Sequence, residues 1–178
     1  DCDLCRGSAV NRFALVGLIM TLSYSLMPSS MASDLNPYGG VKVAPPSLTE
    51  IILTIQKGKV IKKLSMKDLM AMKSEKITVN EPFVKKVQNF RAIPLKNLFV
   101  LAGIKGSDKV ETIALNDYTY TNSAINFISA EGYLAISRSE RAIGFDQGGP
   151  IRIIFPDKSK WARFLDPWNW SLKSLKVK

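Results

Sequence analysis

The 178-residue sequence contains no histidine, and its two cysteines, Cys2 and Cys5, both lie close to its first residue. Histidine is the commonest general base and the commonest metal ligand in proteins. Its absence excludes a Ser-His-Asp triad, a Cys-His pair and a histidine-ligated zinc or iron site within this chain. Beyond Cys5 the sequence also offers no thiol for a disulfide, a metal–thiolate bond or nucleophilic catalysis.

Apolar runs long enough to span a membrane are absent as well. The run at 13–22 has about ten residues, roughly half of what a transmembrane helix requires. Arg6 and Arg12 precede it and a small-residue stretch ending in Ala32 follows it, an order typical of a secretory signal peptide. We therefore predict a signal peptide at 1–32 and a periplasmic mature protein that does not span the membrane. An uncleaved N-terminal anchor is the alternative.

Acidic residues are outnumbered, with 15 Asp and Glu against 25 Lys and Arg, which gives a formal net charge of +10. A basic surface can bind nucleic acid, but here the lysines are scattered and only short pairs occur, at Lys62-Lys63 and Lys85-Lys86. The predicted export argues further against such a partner, and we expect no nucleic acid. A solvated basic surface, or one that attracts an anionic small molecule, accounts for the charge.

The remaining sequence predicts a single domain of mixed α+β class. The Pro- and Gly-rich composition of residues 33–47 predicts a flexible linker there. The domain is predicted at 48–178. Short strand patterns alternate there with a few short helix patterns, which indicates mixed β-sheets with short helices. The helices are predicted at 66–73, 93–102 and 123–130, and the last strand is predicted at 168–177.

The start of the first helix has a recognisable signature. Ser65 is followed three residues later by Asp68, which resembles a capping box. The side chains predicted to face the core are Met66, Leu69, Met70 and Met72. We interpret these methionines as core packing rather than as thioether ligands for copper.

The most distinctive motif is Gly-Gly-Pro-Ile-Arg-Ile-Ile-Phe-Pro at 148–156, which Lys160-Trp161 soon follows. Two glycines and a proline lead into an alternating strand, and that strand stops at a second proline. Glycine permits positive φ or close approach of the backbone to a ligand, and proline fixes φ at the first strand position. Upstream, Asn116-Asp117-Tyr118 reads as a turn.

In this order the motifs resemble the oxidoreductase molybdopterin-binding domain of the sulfite oxidase family, over about 48–177. Weaker matches at 93–99, 131–134 and 168–172 support the resemblance. It implies that molybdopterin is held by glycine-rich loops and by basic side chains at its phosphate. The corresponding cofactor-binding residues would be Asp117, Tyr118, Gly148, Gly149, Arg152 and Lys160.

Five of these residues also have a purely structural interpretation. Asp117 can bond its own backbone in the turn, and Arg152 can form an ion pair with Asp157 or Asp146. The two glycines fit a tight turn, and the lysine fits a solvated surface position. For Tyr118 the alternatives are a substrate-orienting hydroxyl and an acid with a perturbed pKa.

The resemblance lacks one essential residue. It places the molybdenum-ligating cysteine between Thr78 and Phe90, where the sequence offers Glu81 but no thiol. A single carboxylate does not make a metal site. We therefore predict neither a metal site nor a catalytic residue, and no certain cofactor; molybdopterin held without the cysteine ligand is the remaining possibility.

Three functions stay open from the sequence. The first is a non-catalytic accessory or sensor component that binds an anionic, pterin-like molecule or a protein, such as a membrane sensor or a redox protein. The second is a molybdopterin-dependent oxidoreductase with an atypical, cysteine-free site. The third is a purely structural interaction domain. Bound molybdenum would identify the second, and a bound organic ligand would separate the first from the third.

Overall fold

A computed structural model of the chain describes residues 44–178, which belong to one compact unit. In this part the chain forms nine strands and three short α-helices. The strands are β1 (Ile51–Lys57), β2 (Val60–Ser65), β3 (Glu75–Glu81), β4 (Lys86–Pro94), β5 (Lys109–Ala114), β6 (Thr119–Ser123), β7 (Tyr133–Arg138), β8 (Arg152–Ile154) and β9 (Leu172–Val177). The helices are α1 (Met66–Ala71), α2 (Leu95–Leu101) and α3 (Ala124–Ser129), and Phe145–Gln147 forms a 3-10 turn. The predicted α+β class is confirmed at this level.

The strands form two sheets. The five-stranded sheet has the order β2-β1-β9-β5-β6, and the four-stranded sheet has the order β3-β4-β7-β8. Neighbouring strands are antiparallel except β1 and β9, which run parallel with Ile55 opposite Leu175. Strands β3 and β8 therefore lie at opposite edges of the smaller sheet.

Both sheets and all three helices contribute to one hydrophobic core. The core includes a cluster of aromatic rings in which Phe127 on α3 meets Trp161 at 5.4 Å between ring centroids, edge to face. Phe155 approaches the same indole at 5.5 Å. Such edge-to-face pairs stabilise a core beyond the area that they bury. Trp161 is thus part of the core.

The capping box predicted at the start of α1 is present. The Ser65 Oγ accepts a bond from the Asp68 backbone N–H at 3.2 Å, and the Ser65 N–H donates to Asp68 Oδ2 at 2.8 Å. The hydroxyl and then the backbone of Ser65 hold the pKa of Asp68 below its ordinary value of 3.8. The predicted position of Met70 is wrong: this residue is 48% exposed, because a six-residue helix has only a narrow inner stripe.

Replacing Ser65 by alanine is expected to lower the free energy of unfolding by about 1 kcal/mol, since the helix loses its N-cap. A lowered carboxyl pKa contributes stability above the unfolded pKa, and this contribution is lost as pH falls through the folded pKa. The variant should therefore lose less stability than the parent between pH 7 and pH 3, measured by urea unfolding at both. Ser65→Thr, which keeps the hydroxyl, is the control.

The predicted signal peptide at 1–32 and residues 33–43 of the predicted linker lie outside the described residues. Residues 44–47 contain neither helix nor strand, and β1 is the first regular element after them. Among residues 44–178, no helix combines the length and apolar character needed to cross a bilayer.

Candidate ligand-binding groove

A fully buried ion pair connects the opposite edges of the smaller sheet. Arg152, the first residue of β8, places its Nη2 2.7 Å from Oε1 of Glu81, the last residue of β3, and both side chains have 0% exposure. The Arg152 Nη1 also donates to the Gln147 carbonyl at 3.2 Å. A buried charge persists only when it is paired and hydrogen-bonded, which this arrangement achieves for both groups.

The second carboxylate oxygen of Glu81 shapes the turn between β3 and β4. Its Oε2 accepts the backbone N–H groups of Phe83 at 2.9 Å and of Val84 at 2.8 Å. Hydrogen bonds from backbone amides to an ionised carboxylate are the stronger kind. The buried pair therefore fixes the turn from which the Phe83 ring projects.

The guanidinium of Arg152 fixes a second ring. Its carbon lies 4.2 Å from the centroid of the Trp170 ring, a cation–π contact. Gly148, with φ 79°, brings the backbone against the same indole, and a Cβ at this position would lie 2.7 Å from the ring. The position of the Trp170 ring is thus fixed both by the guanidinium of the buried pair and by the backbone of the Gly-Gly turn.

The strand predicted at 168–177 begins only at Leu172, so this prediction is wrong for its first four residues. Ser171 has φ 48°, outside the β region, and its N–H donates to the Gly148 carbonyl at 2.7 Å. This kink interrupts the ladder and turns the segment that carries the two tryptophans towards the turn before β4.

Four aromatic side chains converge where these segments meet. They line an open groove of about 320 Å³, which we call the aromatic groove. Its lining residues are Phe83, Tyr118, Trp168 and Trp170, completed by Ala114, Asn116, Leu165 and Asp166. The Phe83 ring meets Trp170 at 4.9 Å and 67° and meets Trp168 at 6.3 Å and 75°. Rings at such steep angles form a corner that offers ring faces and edges to a flat ligand.

Tyr118 supplies the groove's hydroxyl. This hydroxyl donates to the Asp166 carbonyl at 3.0 Å, and the Asn116 Oδ1 accepts the Tyr118 backbone N–H at 3.2 Å. Burial, and secondly the negative charge of Asp166 and the neighbouring Tyr120, raise the pKa of the Tyr118 phenol above its ordinary value of 10. The phenol stays protonated at neutral pH, so it can orient a ligand by hydrogen bonding but is a poorer acid than free tyrosine.

A similar architecture occurs in a solved structure. The model is similar to the sulfane dehydrogenase SoxCD from Paracoccus pantotrophus, a sulfite oxidase-family molybdoenzyme, with a TM-score of 0.58 at 14% sequence identity. The fold is molybdopterin-domain-like. The match covers 75% of this chain but only 39% of that chain, and at this identity it concerns the fold alone. No family model matches the sequence, and no curated protein matches it.

Within this molybdopterin-domain-like fold, three of the six predicted site residues lie together. Tyr118 lines the aromatic groove, and Gly148 and Arg152 both contact Trp170. The glycine that follows, Gly149, instead packs against backbone, since a Cβ there would overlap the Ile143 carbonyl. At both positions a Cβ would meet other groups of the protein. A tight turn and close packing therefore account for the presence of glycine at 148 and 149 in this structure.

The other two predicted residues have different surroundings. The Lys160 Nζ donates to the Ser129 Oγ at 2.8 Å, at the end of α3. Asp117, with φ 64°, is exposed, and its carboxylate is 2.5 Å from the Lys173 Nζ. Neither residue lines the aromatic groove, and their cofactor role stays a prediction.

The partner of Arg152 was not predictable from local sequence. Asp157 and Asp146 were the expected alternatives, but the Nη2 of Arg152 pairs with Glu81, 71 residues away. Asp157 instead accepts the Asn80 backbone N–H through its Oδ1 at 2.7 Å. Phe83 was missed as well, because a ring in a turn gives no local signal that two distant tryptophans will meet it.

The residues present do not fit the cysteine-ligated molybdenum centre that the resemblance implies. Residues 44–178 contain no cysteine, and both oxygens of Glu81, the carboxylate nearest the implied position, are engaged within the protein. Across the same described range, no three potential metal-ligating side chains converge. Arg152, at 0% exposure, is likewise held on Glu81 instead of lying open to a phosphate.

Proposed function

We propose that this chain is a non-catalytic binding domain, exported to the periplasm, that acts as an accessory or sensor component by binding a flat organic molecule in the aromatic groove. The buried Glu81–Arg152 pair is the observation that carries this proposal. It lies in the region where the resemblance implies a metal thiolate, and it positions two walls of the groove. A structural support in this place favours a binding role over redox chemistry.

The size and lining of the groove support ligand binding. Small-molecule sites commonly measure 300–1,000 Å³ and combine apolar walls with a few polar groups. The aromatic groove has about 320 Å³, four rings and the polar groups of Asn116, Tyr118 and Asp166. Phe83 and Tyr118 are 42% and 44% exposed and line the same groove, and exposed apolar groups that lie together mark binding sites.

A protein partner is the second candidate, favoured by apolar side chains at the rim. Phe164 and Leu165 are 44% and 45% exposed and follow one another beside the groove. Exposed aromatic and aliphatic groups are typical anchors of protein interfaces. A membrane sensor or a redox protein of the same compartment is the kind of partner that we would test.

Protein isolated from its native compartment distinguishes these functions. Molybdenum is measured by mass spectrometry and released pterin by fluorescence on the same sample. Binding of riboflavin and adenosine, two uncharged ring compounds, is then measured by calorimetry. We expect substoichiometric molybdenum and ring binding that Phe83→Ala weakens on the order of tenfold, since stacking on one aromatic side chain contributes about 1–3 kcal/mol.

Val100→Ala is the matched control, because Val100 is 78% exposed and does not line the groove. It should leave ring binding unchanged. Near-stoichiometric molybdenum would overturn the proposal in favour of an oxidoreductase with an atypical site. Absence of ring binding, with a partner retained by the wild type and lost on Phe164→Ala, would favour the interaction domain.

A further inference from the structure

We propose that the ligand of the aromatic groove carries an anionic group, which a second, adjoining groove binds; this inference rests on the proposed function. The second groove has a volume of about 510 Å³. Its lining residues are Asn80, Glu81, Pro82, Lys85, Asp157, Ala162 and Arg163. We call it the basic groove because two exposed cations, Lys85 and Arg163, line it, whereas no cation among residues 44–178 lines the aromatic groove.

The same two chain segments line both grooves. In the turn before β4, Phe83 faces the aromatic groove, whereas Pro82 and Lys85 on either side of it line the basic groove. Consecutive residues lie about 3.8 Å apart, so the backbones of Phe83 and Lys85 are within about 8 Å of each other. A ring in the first groove and a phosphate in the second are thus within reach of one small molecule.

The second segment repeats the arrangement on the other side. Ala162 and Arg163 line the basic groove, and Leu165 and Asp166 line the aromatic groove. Each segment therefore contributes a large apolar side chain, Phe83 or Leu165, to the aromatic groove and a cation to the basic groove. This division matches a ligand with one flat apolar end and one charged end.

The charges of the basic groove favour an anion. In the described part of the chain, neither Lys85 nor Arg163 forms a salt bridge. The Glu81 carboxylate is neutralised by Arg152, and the Asp157 carboxylate accepts the Asn80 N–H through one oxygen. Two cations thus face one uncompensated carboxylate, that of Asp157. The guanidinium of Arg163 suits phosphate because it donates in a bidentate fork.

The backbone fixes the point from which one of these cations extends. Lys85 has φ 53°, an uncommon conformation for this residue type, and its N–H donates to the Glu81 carbonyl at 2.8 Å. The tight turn that Glu81 organises therefore sets the positions of Phe83 and Lys85 together. The structure assigns to this site a phosphorylated ring compound, with a mononucleotide as the simplest class.

Two matched pairs of probes test the inference: flavin mononucleotide against riboflavin, and adenosine monophosphate against adenosine. Calorimetric titration of the full chain should show that the phosphate tightens binding on the order of tenfold, from two charge-assisted contacts. In the double variant Lys85→Gln/Arg163→Gln this advantage should vanish while the affinity for riboflavin and adenosine stays unchanged. Raising the salt concentration should weaken only the phosphorylated probes.

Lys176→Gln is the control, because it removes one cation from β9, outside both grooves. It should leave all four affinities unchanged. Equal binding of phosphorylated and unphosphorylated probes would overturn the inference and leave the proposed function standing. A phosphate advantage that survives the double variant would also overturn it, whereas failure of all four probes to bind would overturn both.

Discussion

Replacing Arg152 by methionine is expected to lower the free energy of unfolding by about 3–5 kcal/mol, because the change strands a buried carboxylate. Methionine fills much of the same volume, so the loss comes from charge and hydrogen bonding more than from a cavity. Glu81 would keep the two backbone N–H bonds of the turn but lose its cation at 2.7 Å. Urea unfolding followed by tryptophan fluorescence measures this change.

The double variant Glu81→Gln/Arg152→Met should recover most of that loss. Glutamine keeps an amide oxygen for the N–H groups of Phe83 and Val84 but carries no charge that needs compensation. Replacing a buried ion pair by uncharged groups of similar volume is often neutral or even stabilising. A double variant as unstable as the single one would show that the cost lies in lost packing instead.

An exposed ion pair of similar length provides the matched control. Lys173 and Asp117 approach to 2.5 Å, but their side chains are 38% and 83% exposed. Solvent screens such a pair and its net contribution is small, so Lys173→Met should cost far less than Arg152→Met. If Lys173→Met and Arg152→Met lowered the free energy of unfolding equally, burial would not be what makes the Glu81–Arg152 pair important for stability.

The same substitution should also weaken ligand binding in the aromatic groove. Trp170 would lose the guanidinium 4.2 Å from its ring, and the turn that carries Phe83 would lose the charge that balances its carboxylate anchor. Riboflavin affinity is therefore expected to fall in Arg152→Met and to return in part in the double variant, where the turn is again free of an uncompensated charge.

Local features of the fold were predictable because their causes are local. Lys57-Gly58 predicts the turn between β1 and β2, and Gly58 indeed has φ 55°. The Ser65–Asp68 spacing predicts the cap of α1, and Gly103 ends α2 with φ 66°. Each of these signals lies within a few residues, so propensity and capping chemistry suffice to read it.

The site was less predictable because it is assembled from distant segments. Its rings come from the turn after β3, the turn before β6 and the segment before β9. Nothing near Glu81 indicates that its partner lies at the opposite edge of the sheet, and nothing near Ser171 indicates a left-handed residue inside an apparently continuous strand. Tertiary packing decides both. Of the six site residues that the resemblance implies, only Tyr118, Gly148 and Arg152 line the groove or contact Trp170.

The second large effect is expected at Gly149. A Cβ on this residue would overlap the carbonyl group of Ile143 and come within 2.9 Å of the Gly144 carbonyl oxygen. Both neighbours are backbone groups, and the Gly144 carbonyl also accepts the Gly149 N–H at 2.9 Å, so neither can move aside cheaply. Gly149→Ala should therefore lower the free energy of unfolding by roughly 3 kcal/mol, the upper range of overpacking costs.

Gly58→Ala separates this steric cost from the cost of an unusual backbone conformation. Gly58 has φ 55° but open space where a Cβ would stand, so its replacement should cost only about 1 kcal/mol. Gly148 combines both conditions, with φ 79° and the Trp170 ring 2.7 Å from the Cβ position. Because a side-chain ring yields more easily than backbone, Gly148→Ala should fall between the two in stability yet lower riboflavin affinity the most. Urea midpoints and calorimetry on the three variants would reject this account if Gly149→Ala cost no more than Gly58→Ala.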